Sequence, residues 1–307
     1  MAVLLHAPRY VLGEIEAGHD TIPGLEARAC ELGLQPSADL WGWGRIHRTE
    51  RGLEALAVET GKATLLAAGL EPSQVDLLML CCTQFPGDGM THGGFVETIM
   101  ARLGLSRASY LGLTLNRCTN LLAALRAGEA LVSSGQYRRV LVVSTDKAAD
   151  ETSRLQGFAV FSDGAASCLL SDQRVAGYEV LGSASAQDIS ALDWSNEISA
   201  DLSCQVNDRL LGPHGLGVGD VSALMHPNIF KPLVVMKERM AGFTQAQLFT
   251  ANISRVGHCF AADPLINLVD RMAAGHVPDG GIVMLAASVP GSRIGVLLRS
   301  MPGNAPR

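Results

Sequence analysis

The chain has 307 residues, 48% hydrophobic and 18% charged, with a mean hydropathy of +0.21. That composition excludes a disordered chain, which needs low hydrophobicity and high charge. The net charge of −6, without any Lys/Arg-rich run, excludes nucleic acid as the main partner, because phosphate neutralisation needs a clustered basic surface. Nor is there an uninterrupted apolar run of about 18 residues, so no membrane-spanning helix is expected. The N-terminal residues lack the basic and extended apolar regions of a signal peptide, and a cytoplasmic protein is expected. The seven cysteines (30, 81, 82, 118, 168, 204 and 259) are scattered and form no CxxC pair. They read as reduced thiols, with no structural zinc and no cofactor expected.

In chain order, residues 52–69 place Leu53, Leu56, Ala57, Thr60, Ala63, Thr64 and Ala67 at helical spacing, and 75–82 reads as a buried strand. A helix is expected over 93–103, ended by Gly104. A short strand over 110–115 leads to a Leu/Ala-rich helix over 118–134, stopped by Gly135. Residues 139–144 (Arg-Val-Leu-Val-Val-Ser) are the clearest strand. The second part repeats the grammar: strands at 177–182, 223–225, 248–251, 281–287 and 294–299, helices at 232–240 and 264–274. The alternation predicts right-handed crossovers and a mainly parallel sheet. Residues 172–175 read as the join, dividing the chain into 1–172 and 173–307. The similar element order points to an internal duplication, although no sequence repeat is visible. Residues 183–218 read as irregular, a cap or tunnel-lining insertion.

Cys118, in Leu115-Asn-Arg-Cys-Thr-Asn120, falls at a strand-to-helix junction. Unpaired N–H groups and the positive end of a helix favour a thiolate there, and the same groups can hold an acyl oxyanion. The plain alternative is one more small buried cysteine.

Cys118 with its helix, Phe161-Ser-Asp-Gly164-Ala-Ala, His226-Pro-Asn228 and Asn252-Ile-Ser-Arg-Val-Gly257-His258 resemble, in order, the landmarks of the ketoacyl-ACP synthase III branch of the thiolase superfamily. The resemblance spans roughly residues 50 to 300. It implies an α/β, five-layered αβαβα thiolase-like fold and a homodimer. It further implies acyl transfer from CoA or acyl carrier protein onto Cys118. His226 falls where the family's catalytic histidine lies, and Asn228 keeps a polar residue two positions later, expected to contact the substrate. Phe95 falls where a residue crosses to the partner's acyl pocket. Lys231, with Lys237 and Arg239, falls where a basic patch receives the phosphorylated arm. Trp41 and Trp43 do not match the family's adenine clamp cleanly. A carrier protein is therefore the expected donor ahead of CoA.

Two departures matter. In condensing members an asparagine pairs with the histidine to hold the extender's thioester oxygen; here that position is His258, with Asp263 five residues on, before Pro264. A neutral imidazole can take a proton from a hydroxyl or amine, as an amide cannot, and a carboxylate on its other nitrogen fixes the tautomer. Cys118, His258 and Asp263 thus resemble the nucleophile, base and orienter of the family's ester- and amide-forming acyltransferase offshoot. The alternative reading is that His258 stands in for the asparagine of a condensing enzyme that uses Cys118, His226 and His258. The plain alternatives are Asp263 as a helix cap alone and His226 as a spectator. The second departure is Pro290, which stands where a glycine N–H should complete the oxyanion hole; Val289 or Gly291 is the substitute donor. The expected function is acyl transfer from a carrier-protein or CoA thioester to a hydroxyl or amine of a specialised, polyketide-type metabolite. A decarboxylative condensing enzyme comes second, an inactive partner subunit third.

Overall fold

The computed structural model describes residues 2–83, 92–173, 175–192 and 199–302. The chain opens with β1 (Val3–Leu12), β2 (Ile15–Gly18), α1 (Leu25–Glu31), α2 (Ala38–Trp41) and β3 (Arg45–Arg48). Then follow α3 (Leu53–Ala68), β4 (Leu77–Cys81), α4 (His92–Leu103), β5 (Ser109–Leu113), α5 (Asn120–Ser133), β6 (Arg139–Asp146) and β7 (Gly164–Ser171). The second part contains β8 (Tyr178–Gln187), α6 (Ala200–Leu211), β9 (Val221–Met225), α7 (Lys231–Met240), α8 (Ala251–Arg255), α9 (Asp263–Ala273), β10 (Ile282–Val289) and β11 (Ser292–Ser300).

Among the described residues, nine strands form one sheet in the order β5-β4-β6-β7-β1-β8-β11-β10-β9. The order is nearly symmetric about the β1–β8 pair. On one side β4 and β6 are parallel and β6, β7 and β1 antiparallel; on the other β9 and β10 are parallel and β10, β11 and β8 antiparallel. The expected mainly parallel sheet is therefore corrected to a mixed one. After its parallel pair each half returns antiparallel: β10 passes into β11 through a tight turn, whereas residues 147–163 join β6 to β7.

Strand alternation explains the layers, since successive side chains point to opposite faces. Leu77, Met79 and Cys81 of β4 and Val140 and Val142 of β6 pack with Leu121, Leu122 and Leu125 of α5. The same cluster takes in Val283, Leu285 and Ala287 of β10 and Leu265, Ile266 and Leu268 of α9. The alternate residues Leu78, Leu80, Leu141 and Val143 face α3 and α4, while Met284, Ala286 and Leu297 face α6 and α7. Helices α5 and α9 thus form a middle layer between the two sheet halves, with helices outside each: five layers, as expected.

Several expectations fail for identifiable reasons. Absent from the expected strands are β1 and β7, which carry the middle of the sheet. Pro8 interrupts the pattern of β1, and the chain absorbs it at a register shift between His6 and Arg9, with Ala7 at φ 49°. Residues 183–218 are not irregular: they finish β8 and form α6, although 193–198 lie outside the described residues. The strand expected at 248–251 is a single bridge from Leu248 to Leu224, because the chain turns into α8 at Ala251.

Candidate active site

Cys118 sits in a 3-10 turn, Arg117–Thr119, one turn ahead of α5 rather than on its first residue. The turn is tied down by the fully buried Asn120, whose side-chain amide donates to the carbonyls of Cys82 (3.1 Å) and Thr114 (3.1 Å) and accepts from Asn116 N–H (3.0 Å). Arg117, just before the thiol, has φ 51°, and Phe260, two residues after His258, has φ 52°. A non-glycine residue held there costs roughly 1–3 kcal/mol, and such strain gathers at functional sites.

His258 is delivered by the loop between α8 and α9. Its backbone N–H donates to Val160 C=O (2.9 Å) and its carbonyl accepts from Ser162 N–H (3.0 Å). Gly257 before it has φ 76°, and a Cβ there would stand 2.8 Å from Ser162 Oγ, so glycine is needed. The His258 ring spans two partners: Nε2 lies 3.3 Å from Cys118 Sγ, and Nδ1–H donates to Asp263 Oδ2 at 2.5 Å. Phe161, Phe158 and Phe260 surround it, with centroids 4.8, 6.1 and 6.0 Å from its own. Phe158 and Phe260 carry no spacing signal in the sequence.

Asp263 is fully buried and accepts four N–H donors. His258 Nδ1 and Asn228 N (2.6 Å) serve Oδ2; Cys259 N (2.7 Å) and Asn228 Nδ2 (3.3 Å) serve Oδ1. It is thus the first residue of α9 and also a partner of the histidine. Burial alone would pull the His258 imidazole down, but the charges of Asp263 and Cys118 outweigh it and raise it from 6.5 to about 10. The buried ring thus holds its proton more firmly than a free imidazole.

The remaining expected residues scatter. Asn228, expected at the substrate, turns its amide to Asp263 and is 2% exposed. His226 is 1% exposed; its Nδ1–H donates to Pro227 C=O (2.9 Å), and Nε2 has no hydrogen-bond partner among the described residues. Burial lowers its pKa, against smaller opposing effects of Pro227, Glu238 and Asp263. Gly291, with φ 66°, closes the turn between β10 and β11 and accepts from Asp188 N–H (2.8 Å). A Cβ there would lie 2.5 Å from Asp188 C=O, so Gly291 is a packing residue against that turn, and no described hydrogen bond joins it to Cys118. Lys231 begins α7 and is exposed, as is Arg239. Lys237, expected beside them, is instead 5% exposed near Glu238, which Arg293 grips with bonds of 2.7 and 3.0 Å. Phe95 is half-buried against its own chain's cluster around Ile99.

The Phe161–Ala165 landmark is structural: Asp163 is held by the buried Arg154 through bonds of 2.9 and 3.0 Å, and it accepts from the backbone of Thr49 and Ala148. Among the described residues, no group of three or more His, Cys, Asp or Glu is placed to hold a metal ion, and no helix is long and apolar enough to cross a membrane.

The 3-oxoacyl-[acyl-carrier-protein] synthase III family model matches residues 114–188, from the Cys118 turn through β8. The β-ketoacyl-[acyl-carrier-protein] synthase III of Synechococcus elongatus is 37% identical over 120 residues, which is 38% of this chain and 34% of that protein. The match thus spans about a third of the relative's length. Over the whole chain, the crystal structure of 3-oxoacyl-(acyl carrier protein) synthase III, FabH, from Pseudomonas aeruginosa PAO1 superposes with a TM-score of 0.80 at 21% identity, covering 100% of both chains. ChlB3, named an acyltransferase, superposes at 0.84 with 16% identity and the same coverage. The chain therefore resembles ketoacyl synthase III in sequence and has the thiolase-like fold throughout.

Proposed function

We propose that this ketoacyl synthase III-like chain moves an acyl group from a carrier-protein or CoA thioester, through S-acyl Cys118, to a hydroxyl or amine acceptor of a specialised metabolite. The observation that carries the reading is the His258 ring bridging Cys118 Sγ at 3.3 Å and Asp263 Oδ2 at 2.5 Å. In the resting pair one proton lies between His258 Nε2 and Cys118 Sγ, and His258 takes it up as Cys118 reacts. Its sulfur attacks the thioester carbonyl, a C–S bond forms, and the departing thiol leaves with the His258 proton. Acylation removes the Cys118 charge, one of the two that hold the ring's pKa up. His258 Nε2 is then a lone pair facing the acyl-enzyme, with Nδ1–H kept on Asp263. It takes the proton of the acceptor hydroxyl or amine as that group attacks. Cys118 leaves as thiolate and the resting pair returns with protons balanced.

A second reading, decarboxylative condensation, draws on the names of the ketoacyl synthase III relatives and on the buried, unpartnered His226 Nε2. Its difficulty is the tautomer. Pro227 C=O accepts only, so Nδ1 carries the proton, and a neutral His226 presents a lone pair at Nε2. A lone pair cannot donate to an extender's thioester oxygen. Incubating the protein with an acyl thioester and malonyl-carrier protein separates the two: carbon dioxide and β-ketoacyl product overturn the acyltransferase reading. With acyl thioester and a panel of alcohols and amines, His258→Asn is expected to keep the acyl adduct on Cys118 by intact mass. It should slow transfer by about 10²–10⁴-fold. Full turnover by Cys118→Ala sinks both readings.

A further inference from the structure

Three buried asparagines and one surface arginine form an ordered line that ends on the Asp263 carboxylate. Arg255 Nε donates to Asn252 Oδ1 (2.9 Å), Asn252 Nδ2 to Asn267 Oδ1 (2.8 Å), Asn267 Nδ2 to Asn228 Oδ1 (3.0 Å) and Asn228 Nδ2 to Asp263 Oδ1 (3.3 Å). Asn252 and Asn267 are 0% exposed. The four residues come from α8, α9 and the loop after β9, so the line crosses three elements to reach the pair that Asp263 makes with His258.

The direction of every bond is forced. A guanidinium only donates, so Asn252 must turn its oxygen to Arg255 and its NH₂ inward. Asn267 Nδ2 faces two oxygens, Asn228 Oδ1 and His226 C=O (2.7 Å). Flipping Asn267 would set oxygen against oxygen at both. Asn228 is thereby fixed with its oxygen toward Asn267 and its NH₂ toward Asp263. Aligned donors in a low-dielectric interior polarise one another. Each step thus draws some of the carboxylate's negative charge toward Asn228 and away from His258. The second Asn252 donor goes to Asp270 Oδ2 (2.7 Å), which also pairs with Arg255, while Tyr10 O–H donates to Asp270 Oδ1 (2.8 Å). The line therefore emerges at an ion pair whose arginine side chain is 51% exposed.

We propose that Asn267, backed by Asn252 and Arg255, is a positioning residue that orients the Asn228 amide onto Asp263 and so sets how firmly Asp263 holds the His258 proton. The inference rests on His258 acting as the base. Its consequence is that the base is tuned from the surface. Weakening the line leaves more negative charge facing His258, so the ring holds its proton to higher pH. A ring that stays protonated cannot accept the acceptor's proton, so transfer slows at fixed pH. The charged or titratable groups facing His258 are Asp263 and Cys118; those facing His226 are Asp263, Glu238 and Lys237. Asn267→Leu and Arg255→Met, compared below in one common background, alter none of these.

The test reads the ring directly. In Cys118→Ala protein, which removes the thiol beside the ring, the ¹⁵N signals of the His258 imidazole are followed against pH, with His258→Asn identifying them. Asn267→Leu is expected to raise the midpoint by about one unit, the size of a lost hydrogen bond to a charged group. Arg255→Met should raise it by a few tenths, through the weaker polarisation of the line. A purely structural role lowers Tm and leaves the midpoint in place. An unchanged or lowered midpoint in folded protein overturns the proposal. If Asn267→Leu does not fold, Arg255→Met decides alone. The readout needs no acyl donor: a midpoint that moves in a protein with no acyl-transfer activity keeps the relay and removes the acyltransferase reading.

Discussion

At the scale of single residues, position in the sequence and role in the molecule diverge most where a polar group is buried. Lys237 reads as a surface cation and lies inside, beside Glu238 and its partner Arg293. Asn228 reads as a substrate contact and instead serves Asp263. Burying such groups is costly unless they are paired, so their partners define them, and those partners are remote in sequence. His6 shows the same principle away from the site. It is 6% exposed, with Nε2 3.0 Å from Ser171 Oγ, and burial lowers its pKa from 6.5 to about 4. Above pH 6.5 folded and unfolded chains are both neutral at this ring. As pH falls from 6.5 toward 4, the unfolded chain binds a proton that the folded chain refuses, so stability drops as pH drops. The loss is on the order of 3 kcal/mol at pH 4. Urea denaturation at pH 7 and pH 4.5 is expected to show most of it, and His6→Gln should remove this part of the slope. A slope unchanged by His6→Gln would refute the assignment.

At the scale of elements, the nucleophile's placement depends on how closely α5 lies on the sheet. Gly128 makes that approach possible: a Cβ there would stand 2.7 Å from Leu170 Cδ1 and 3.2 Å from Met79 Sδ. Gly128→Val is expected to cost about 1–3 kcal/mol by urea denaturation, the usual range for overpacking a filled core. Because α5 follows directly on the Cys118 turn, acylation of Cys118 should slow as well. Unchanged stability would mean that α5 has room to spare. The helices of this layer were legible from their spacing, because an amphipathic or buried helix writes its period into the chain. The single bridge at Leu248 was not: an apolar run of four residues carries too little period to separate a strand from a turn.

At the scale of the whole molecule, β5 ends the sheet, with Tyr110 60%, Leu111 42% and, just beyond the strand, Leu115 86% exposed. An open edge with apolar side chains invites a second strand, and the homodimer implied by the family resemblance is expected to pair there. Sedimentation of Leu111→Glu is expected to give monomer at concentrations where the parent chain is a dimer; a monomeric parent chain removes the proposal. What the sequence by itself determined was the α/β class, the elements from α3 to β6, the helices α7 and α9 and the strands β9 to β11, and the short-range geometry of His258 and Asp263. These two lie five residues apart across one helix start, so the local chain brings them together. Tertiary structure alone decided the mixed sheet with β1 and β8 at its centre. It alone set His258 Nε2 3.3 Å from a thiol 140 positions away, and it alone drew Asn228, Asn252 and Asn267 into one line. The physical reason is that periodicity reports which face of an element is buried, whereas a hydrogen bond between distant elements depends on how those faces are stacked.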